Sequence, residues 1–247
     1  MIDTHAHILS EYYNDIDSLI KMLKEKNVLY VLNAATNYNE SLEVLDLAKK
    51  YNNFILPVIG IHPECINDKN NLNKIEKLIK NNKIYAIGEI GLDYYWVKDN
   101  KDEQKELFIN QLKLAKKNNM PVIVHSREAI QDTFDILKEY KVKGIIHSYS
   151  GSLEMAREFI KLGYKLGIGG VLTFKNSKLF EVIKNIDLES IVLETDSPYL
   201  SPEPFRGKQN NPSNVYYVAK KISEIKNISI EEVINITTKN AISLFDI

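Results

Sequence analysis

A chain of 247 residues suits one (β/α)8 barrel of roughly 250 residues and equally two domains of about 100 to 150, so length leaves the domain number open. With 44% hydrophobic and 26% charged residues, a substantial core is available and a disordered chain is excluded; the single cysteine, Cys65, excludes an internal disulfide. The formal net charge of −1 excludes broad, non-specific coating of nucleic acid but leaves room for a local phosphate site.

In chain order, short apolar runs rich in Val and Ile begin near Ile2, Val28, Phe54, Ile84, Pro121, Gly144, Tyr164 and Ile191. They predict eight parallel strands buried on both faces. Amphipathic stretches between them predict helices over Ile16–Lys26, Glu40–Tyr51, Leu72–Asn81, Glu103–Asn118, Ala129–Tyr140, Leu153–Leu162 and Leu179–Asn185. In the fourth, Leu107, Gln111, Leu114 and Ala115 share a face, with Lys113, Lys116 and Lys117 opposite. Helices near Asn214–Ile225 and Ile230–Phe245 close the chain. This rhythm predicts an α/β protein, a single-domain (β/α)8 TIM barrel over residues 1–247. No apolar stretch reaches bilayer length and no signal-like segment opens the chain, so a cytoplasmic location and no membrane partner are expected; a monomer is assumed.

The five histidines all fall at the expected ends of strands: His5 and His7 on the first, His62 on the third, His125 on the fifth and His147 on the sixth. In a (β/α)8 barrel those ends converge on the catalytic face. The two-residue period of a strand sends His5 and His7 to one side, with Asp3 of the same parity placed to hold a ligand histidine by a hydrogen bond. Glu89 and Asp196 end apolar runs, where a buried carboxylate needs a partner or a metal. Singly, each has a bland explanation as a cap, an ion pair or a satisfied core group. Together with the histidines they point to divalent metal ions. Zinc and similar ions accept imidazole and carboxylate together, and six ligands exceed one tetrahedral site, so two ions of Zn, Mn or Mg are expected. Such ions lower the pKa of bound water from 15.7 toward roughly 7, which suits hydrolysis. Glu194 shares the parity of Asp196 and reads equally as a structural hydrogen-bonding group.

The motifs Ile2-Asp3-Thr4-His5-Ala6-His7, Gly60-Ile61-His62-Pro63, Gly88-Glu89-Ile90-Gly91-Leu92-Asp93-Tyr94, Val124-His125-Ser126-Arg127-Glu128-Ala129, His147-Ser148-Tyr149-Ser150-Gly151, Leu193-Glu194-Thr195-Asp196-Ser197-Pro198-Tyr199-Leu200 and Arg206-Gly207-Lys208 run nearly the whole chain. In this order they resemble the TatD family of metal-dependent hydrolases, among the amidohydrolase-like barrels. The resemblance implies a two-metal deoxyribonuclease. His5, His7, Glu89 and Asp196 would surround one ion and Glu89, His125 and His147 the other, with Glu89 bridging and Asp196 taking a proton. His62 and Arg206 would contact substrate phosphate, with DNA or another phosphodiester as the substrate. Arg127 and Lys208 are weaker candidates. Two departures stand out: Ser148-Tyr149 where the family usually has Cys-Phe, and Gln209 and Asn211 where Arg and Glu are common. The residues alone leave two alternatives open, a small-molecule amidohydrolase acting on amides, lactones or esters, and a non-catalytic metal-binding scaffold.

Overall fold

The computed structural model describes residues 1–96 and 98–247. The strands β1 (Ile2–Ala6), β2 (Tyr30–Ala34), β3 (Ile55–Ile59), β4 (Ala86–Asp93), β5 (Val122–Arg127), β6 (Gly144–Ile146), β7 (Lys165–Ile168) and β8 (Ile191–Leu193) lie in sequence order in one sheet. Every neighbouring pair is parallel. Helices α1 (Ile16–Glu25), α2 (Tyr38–Lys50), α3 (Leu72–Asn81), α4 (Lys101–Lys117), α5 (Ile130–Tyr140), α6 (Leu153–Lys161) and α7 (Leu179–Asn185) alternate with the strands, and α8 (Val215–Lys226) and α9 (Ile230–Phe245) follow β8. This is the (β/α)8 barrel. β1 meets the far edge of the sheet just past β8, through a parallel bridge between Ala6 and Ser197. There the Asp196 amide donates to the His5 carbonyl at 3.0 Å and the His7 amide to the Ser197 carbonyl at 2.7 Å. Closing the barrel therefore draws Asp196 to the histidine pair.

Both faces of the strands are covered, and β3 and β4 are buried at every position. On α4, Leu107, Gln111, Leu114 and Ala115 are buried while Lys113, Lys116 and Lys117 face solvent. The boundaries that differ from expectation have local causes. α2 starts at Tyr38, before Glu40, because Asn37 caps it by accepting the Glu40 amide at 3.0 Å. β2 starts at Tyr30 because the Val28 amide is taken by the Leu23 carbonyl in the turn leaving α1. Among the described residues no helix is long and apolar enough to cross a membrane.

The larger correction concerns β4 and β5. Glu89 does not end β4. It sits in a register irregularity between Ile87 and Ile90, after which the ladder continues through Gly91 opposite His125 to Asp93 opposite Arg127. Nor does His125 end β5, which runs on to Arg127. Gly91 permits the extension: its φ is +146° and a Cβ there would stand 2.0 Å from the His125 carbonyl oxygen, so only glycine lets the two strands approach. An irregularity of this kind re-aims a side chain, and the one re-aimed is Glu89.

Buried side-chain amides fix the segments above the strands. Asn33 accepts the Ile8 amide at 2.6 Å and donates to its carbonyl at 2.8 Å; Gln111 does the same for Ile61 at 2.8 and 2.9 Å, and Gln104 for Asp93 at 2.8 and 2.9 Å. Asn210 donates to the carbonyls of Thr195 and Tyr199 at 2.9 and 2.7 Å. The clamped backbone belongs to the neighbours of His7, His62 and Asp196, and to Asp93 itself.

Candidate metal centre

His7, His62, Glu89, His125, His147 and Asp196 line one cavity of about 570 Å³ at the C-terminal ends of the strands. His5 is fully buried beside it. Glu89 is the hub. Its Oε1 lies 2.8 Å from His125 Nδ1, 2.9 Å from His147 Nε2 and 3.5 Å from His62 Nε2. Its Oε2 lies 3.3 Å from His5 Nε2 and 3.5 Å from His7 Nε2. Asp196 Oδ1 meets the same two histidines at 3.5 and 3.7 Å, and their Nε2 atoms are 3.1 Å apart. The two oxygens of one carboxylate thus face two different sets of nitrogens.

Partners on the far side of the His7 and His125 rings decide which nitrogen each presents. His7 Nδ1 donates to the Ala34 carbonyl at 2.9 Å, so neutral His7 offers a bare Nε2 to His5, Glu89 and Asp196. His125 Nε2 donates to Asp93 Oδ2 at 3.0 Å, which leaves a bare Nδ1 facing Glu89. His147 Nδ1 lies 3.4 Å from Glu194 Oε1, while Nε2 faces Glu89. Carboxylate and imidazole oriented in this way are acceptors pointed at acceptors, a set that fits a divalent cation. His62 differs. Its Nδ1 accepts the Glu64 amide at 3.2 Å, so Nε2 carries the proton and shows the cavity a donor.

The field of the site favours positive charge. Burial is the largest single influence on each group and favours the neutral form, yet it is overcome at most of them. His7 is raised to about 10 by Asp196 and Glu89, His125 is raised by Asp93 and Glu89, and His147 is held well above the usual range by Glu89 and Glu194. Glu89 is driven well below the carboxylate range by His147, His62 and His5, and Asp196 falls through His5 and His7. At His62 burial prevails over Glu89 and lowers the imidazole, in keeping with a neutral donor.

A family model described as TatD related DNase matches residues 2–246. The chain belongs to the TatD family of metal-dependent hydrolases. It is 43% identical over 254 residues to an uncharacterized metal-dependent hydrolase, YabD of Bacillus subtilis, covering 100% of this chain and 99% of the relative. It is 34% identical over 262 residues to the human deoxyribonuclease TATDN3, covering 99% of this chain and 94% of the relative. Among solved structures, the TatD homologue YjjV of Escherichia coli K12 superposes with a TM-score of 0.93 at 31% identity, covering 100% of this chain and 98% of that one.

Within this TatD-family chain some expected contacts fall elsewhere. Asp3 reaches no histidine ring: it accepts the His5 amide at 3.2 Å and is otherwise engaged by the amide and hydroxyl of Thr195, so it braces β1 against the segment after β8. Arg206 is exposed, with its guanidinium 3.6 Å from the centre of the Phe174 ring, and is not among the cavity-lining residues. Among the described residues, Arg127 is the one arginine or lysine lining the wall. Asp93, which orients His125, is a site residue that the histidine and carboxylate pattern does not single out, although its place four residues after Glu89 on a strand is a usable signal. Of the two departures, Gln209 donates to the Tyr12 carbonyl at 2.6 Å, and Asn211 accepts the Ser213 amide at 3.1 Å.

Proposed function

We propose that the protein is a metal-dependent phosphodiesterase that cleaves DNA, with His5, His7, Glu89 and Asp196 holding one divalent ion, Glu89, His125 and His147 a second, and Glu89 shared between them. The observation that carries this reading is the division of Glu89, Oε2 toward His5 and His7 and Oε1 toward His125 and His147. Ions held by these residues would supply Lewis-acid polarisation of a phosphoryl oxygen and a bound water made acidic enough to be a strong nucleophile near neutral pH. His5 and His7 both meet Asp196 through Oδ1, so we assign Oδ2 to accept the proton that the attacking water gives up. With its Nδ1 taken by the Glu64 amide, His62 is assigned to donate from Nε2–H to a non-bridging oxygen of the reacting phosphate. Arg206, outside the cavity, is assigned to a flanking phosphate, where a planar fork of donors suits the charge. The DNA substrate is supported by the human relative's deoxyribonuclease name and by the family description.

The test is to strip ions with a chelator, restore Zn, Mn or Mg singly, and assay a DNA oligonucleotide and bis-p-nitrophenyl phosphate beside cyclic amides and lactones. Metal-restored cleavage of both diesters, well above the amides, is expected. Turnover of amides or lactones alone would make the protein a small-molecule amidohydrolase. Metal binding without turnover across the panel would make it a binding scaffold.

A further inference from the structure

The one tryptophan of the chain, Trp96, is 60% exposed and lines the wall of the cavity that holds the candidate ligands. Its backbone is held with care. Asp93 Oδ1 accepts the amides of Tyr95 and Trp96 at 2.9 and 2.8 Å, while Oδ2 of the same carboxylate meets His125. The turn that displays the indole is therefore tied to the group that orients a candidate metal ligand. Arg127, two residues beyond His125 on β5, lays its guanidinium carbon 4.1 Å from the centre of the Tyr95 ring and 5.3 Å from that of Trp96. Tyr95 and Trp96 meet edge to face, their centroids 4.7 Å apart at 83°. The indole, braced by a tyrosine and a cation, is thus held exposed at the rim of the candidate metal centre, an amphipathic ring presented to whatever enters the cavity.

Resting on the phosphodiesterase reading, we propose that Trp96 is a stacking platform for an unpaired nucleobase beside the cleaved phosphodiester. Every base offers a π-face to an indole, and the Arg127 guanidinium adds the cation that a neighbouring backbone phosphate attracts. A base within a duplex has both faces covered by its neighbours, so the platform takes bases that are unpaired or at an end. This makes Trp96 a determinant of substrate choice, separate from the metal-holding residues.

Because Trp96 is the one tryptophan, its fluorescence reports stacking directly. Metal-loaded protein is mixed rapidly with a short oligothymidylate, or with an abasic phosphodiester chain of the same length, and read before turnover. Quenching by the thymidylate and little change with the abasic chain is expected. In steady state, Trp96→Ala lowers kcat/KM on the thymidylate, relative to the abasic chain, by about 5- to 150-fold, and Trp96→Phe recovers most of the loss. The same fluorescence response to both chains, or the same loss on both in Trp96→Ala, overturns the platform while leaving the phosphodiesterase standing. A wild-type protein that cleaves no phosphodiester overturns the reading on which the platform rests.

Discussion

Replacing Asp93 by Asn keeps the shape of the side chain and changes one oxygen into a donor. Asp93 serves two masters: Oδ1 accepts the amides of Tyr95 and Trp96, and Oδ2 accepts from His125 Nε2 at 3.0 Å. An asparagine can satisfy only one of them. If its NH2 faced the loop, a donor would meet two backbone donors and both hydrogen bonds would be lost, at about 1 to 3 kcal/mol for each amide left unsatisfied. Turning the carbonyl to the loop keeps both bonds and is the cheaper arrangement. The NH2 then faces His125, which must present a bare Nε2 to it and move its proton to Nδ1. That nitrogen lies 2.8 Å from Glu89 Oε1, so the lone pair meant for a cation becomes an N–H. Loss of an outer partner of a metal ligand costs roughly 10- to 100-fold in metal affinity or activity. Asp93→Asn is expected to weaken one ion by that factor, to lose activity at limiting metal and to regain it with excess metal. Competition with a coloured chelator measures the affinity, and metal titration of the turnover measures the rescue. Wild-type affinity together with wild-type activity at limiting metal would refute the tautomer argument.

Glu89→Ala removes the group common to both nitrogen sets, so it should exceed the loss for an outer partner, release at least one ion and abolish turnover while the chain stays folded. Elemental analysis with circular dichroism checks this, and wild-type turnover with unchanged metal content would remove Glu89 from the mechanism. Gly91→Ala forces a Cβ to 2.0 Å from the His125 carbonyl at a φ of +146°. Strain and overpacking of about 2 to 4 kcal/mol should lower Tm by about 4 to 16 °C, and an unshifted thermal melt would count against the close approach of β4 and β5. His7 supplies the pH prediction. Its imidazole is raised from about 6.5 to about 10, so in chelated protein its contribution to stability is complete below about pH 6.5 and is lost as the pH rises through about 10. Between those values, binding of a divalent ion must expel a proton. Calorimetric titration at about pH 8 in two buffers of unlike ionisation enthalpy detects that release, and identical heats would contradict it.

The barrel was legible because parallel strands covered on both faces leave apolar runs that no solvent-facing strand would show, and because the histidines recur where those runs stop. Details set by three-dimensional hydrogen bonding were not. The extension of β4 past Glu89 depends on Gly91 allowing an approach to a strand some thirty residues away, which no local period encodes. Asp3 and Asp93 look alike in sequence, each an acid on a strand a few residues from a candidate ligand (His5 and Glu89), but Asp3 is consumed by Thr195 across the barrel closure while Asp93 meets His125. The buried amides Asn33, Gln104 and Gln111 showed only as polar residues in apolar surroundings, and their partners lie 11 to 50 positions away. Arg206 has the guanidinium fork and a place in the loop after β8, but which arginine lines the cavity depends on the path of that loop and on β5 running on to Arg127.

The central claim is that Glu89 and its histidines hold two ions that enable phosphodiester cleavage. It is tested most directly by titrating ion-stripped protein with Zn, Mn or Mg while following bound metal and DNA cleavage in the same samples. The account predicts activity that rises with metal and saturates at two ions per chain. Saturation of DNA cleavage at a single ion, or full cleavage by the stripped protein, would contradict it.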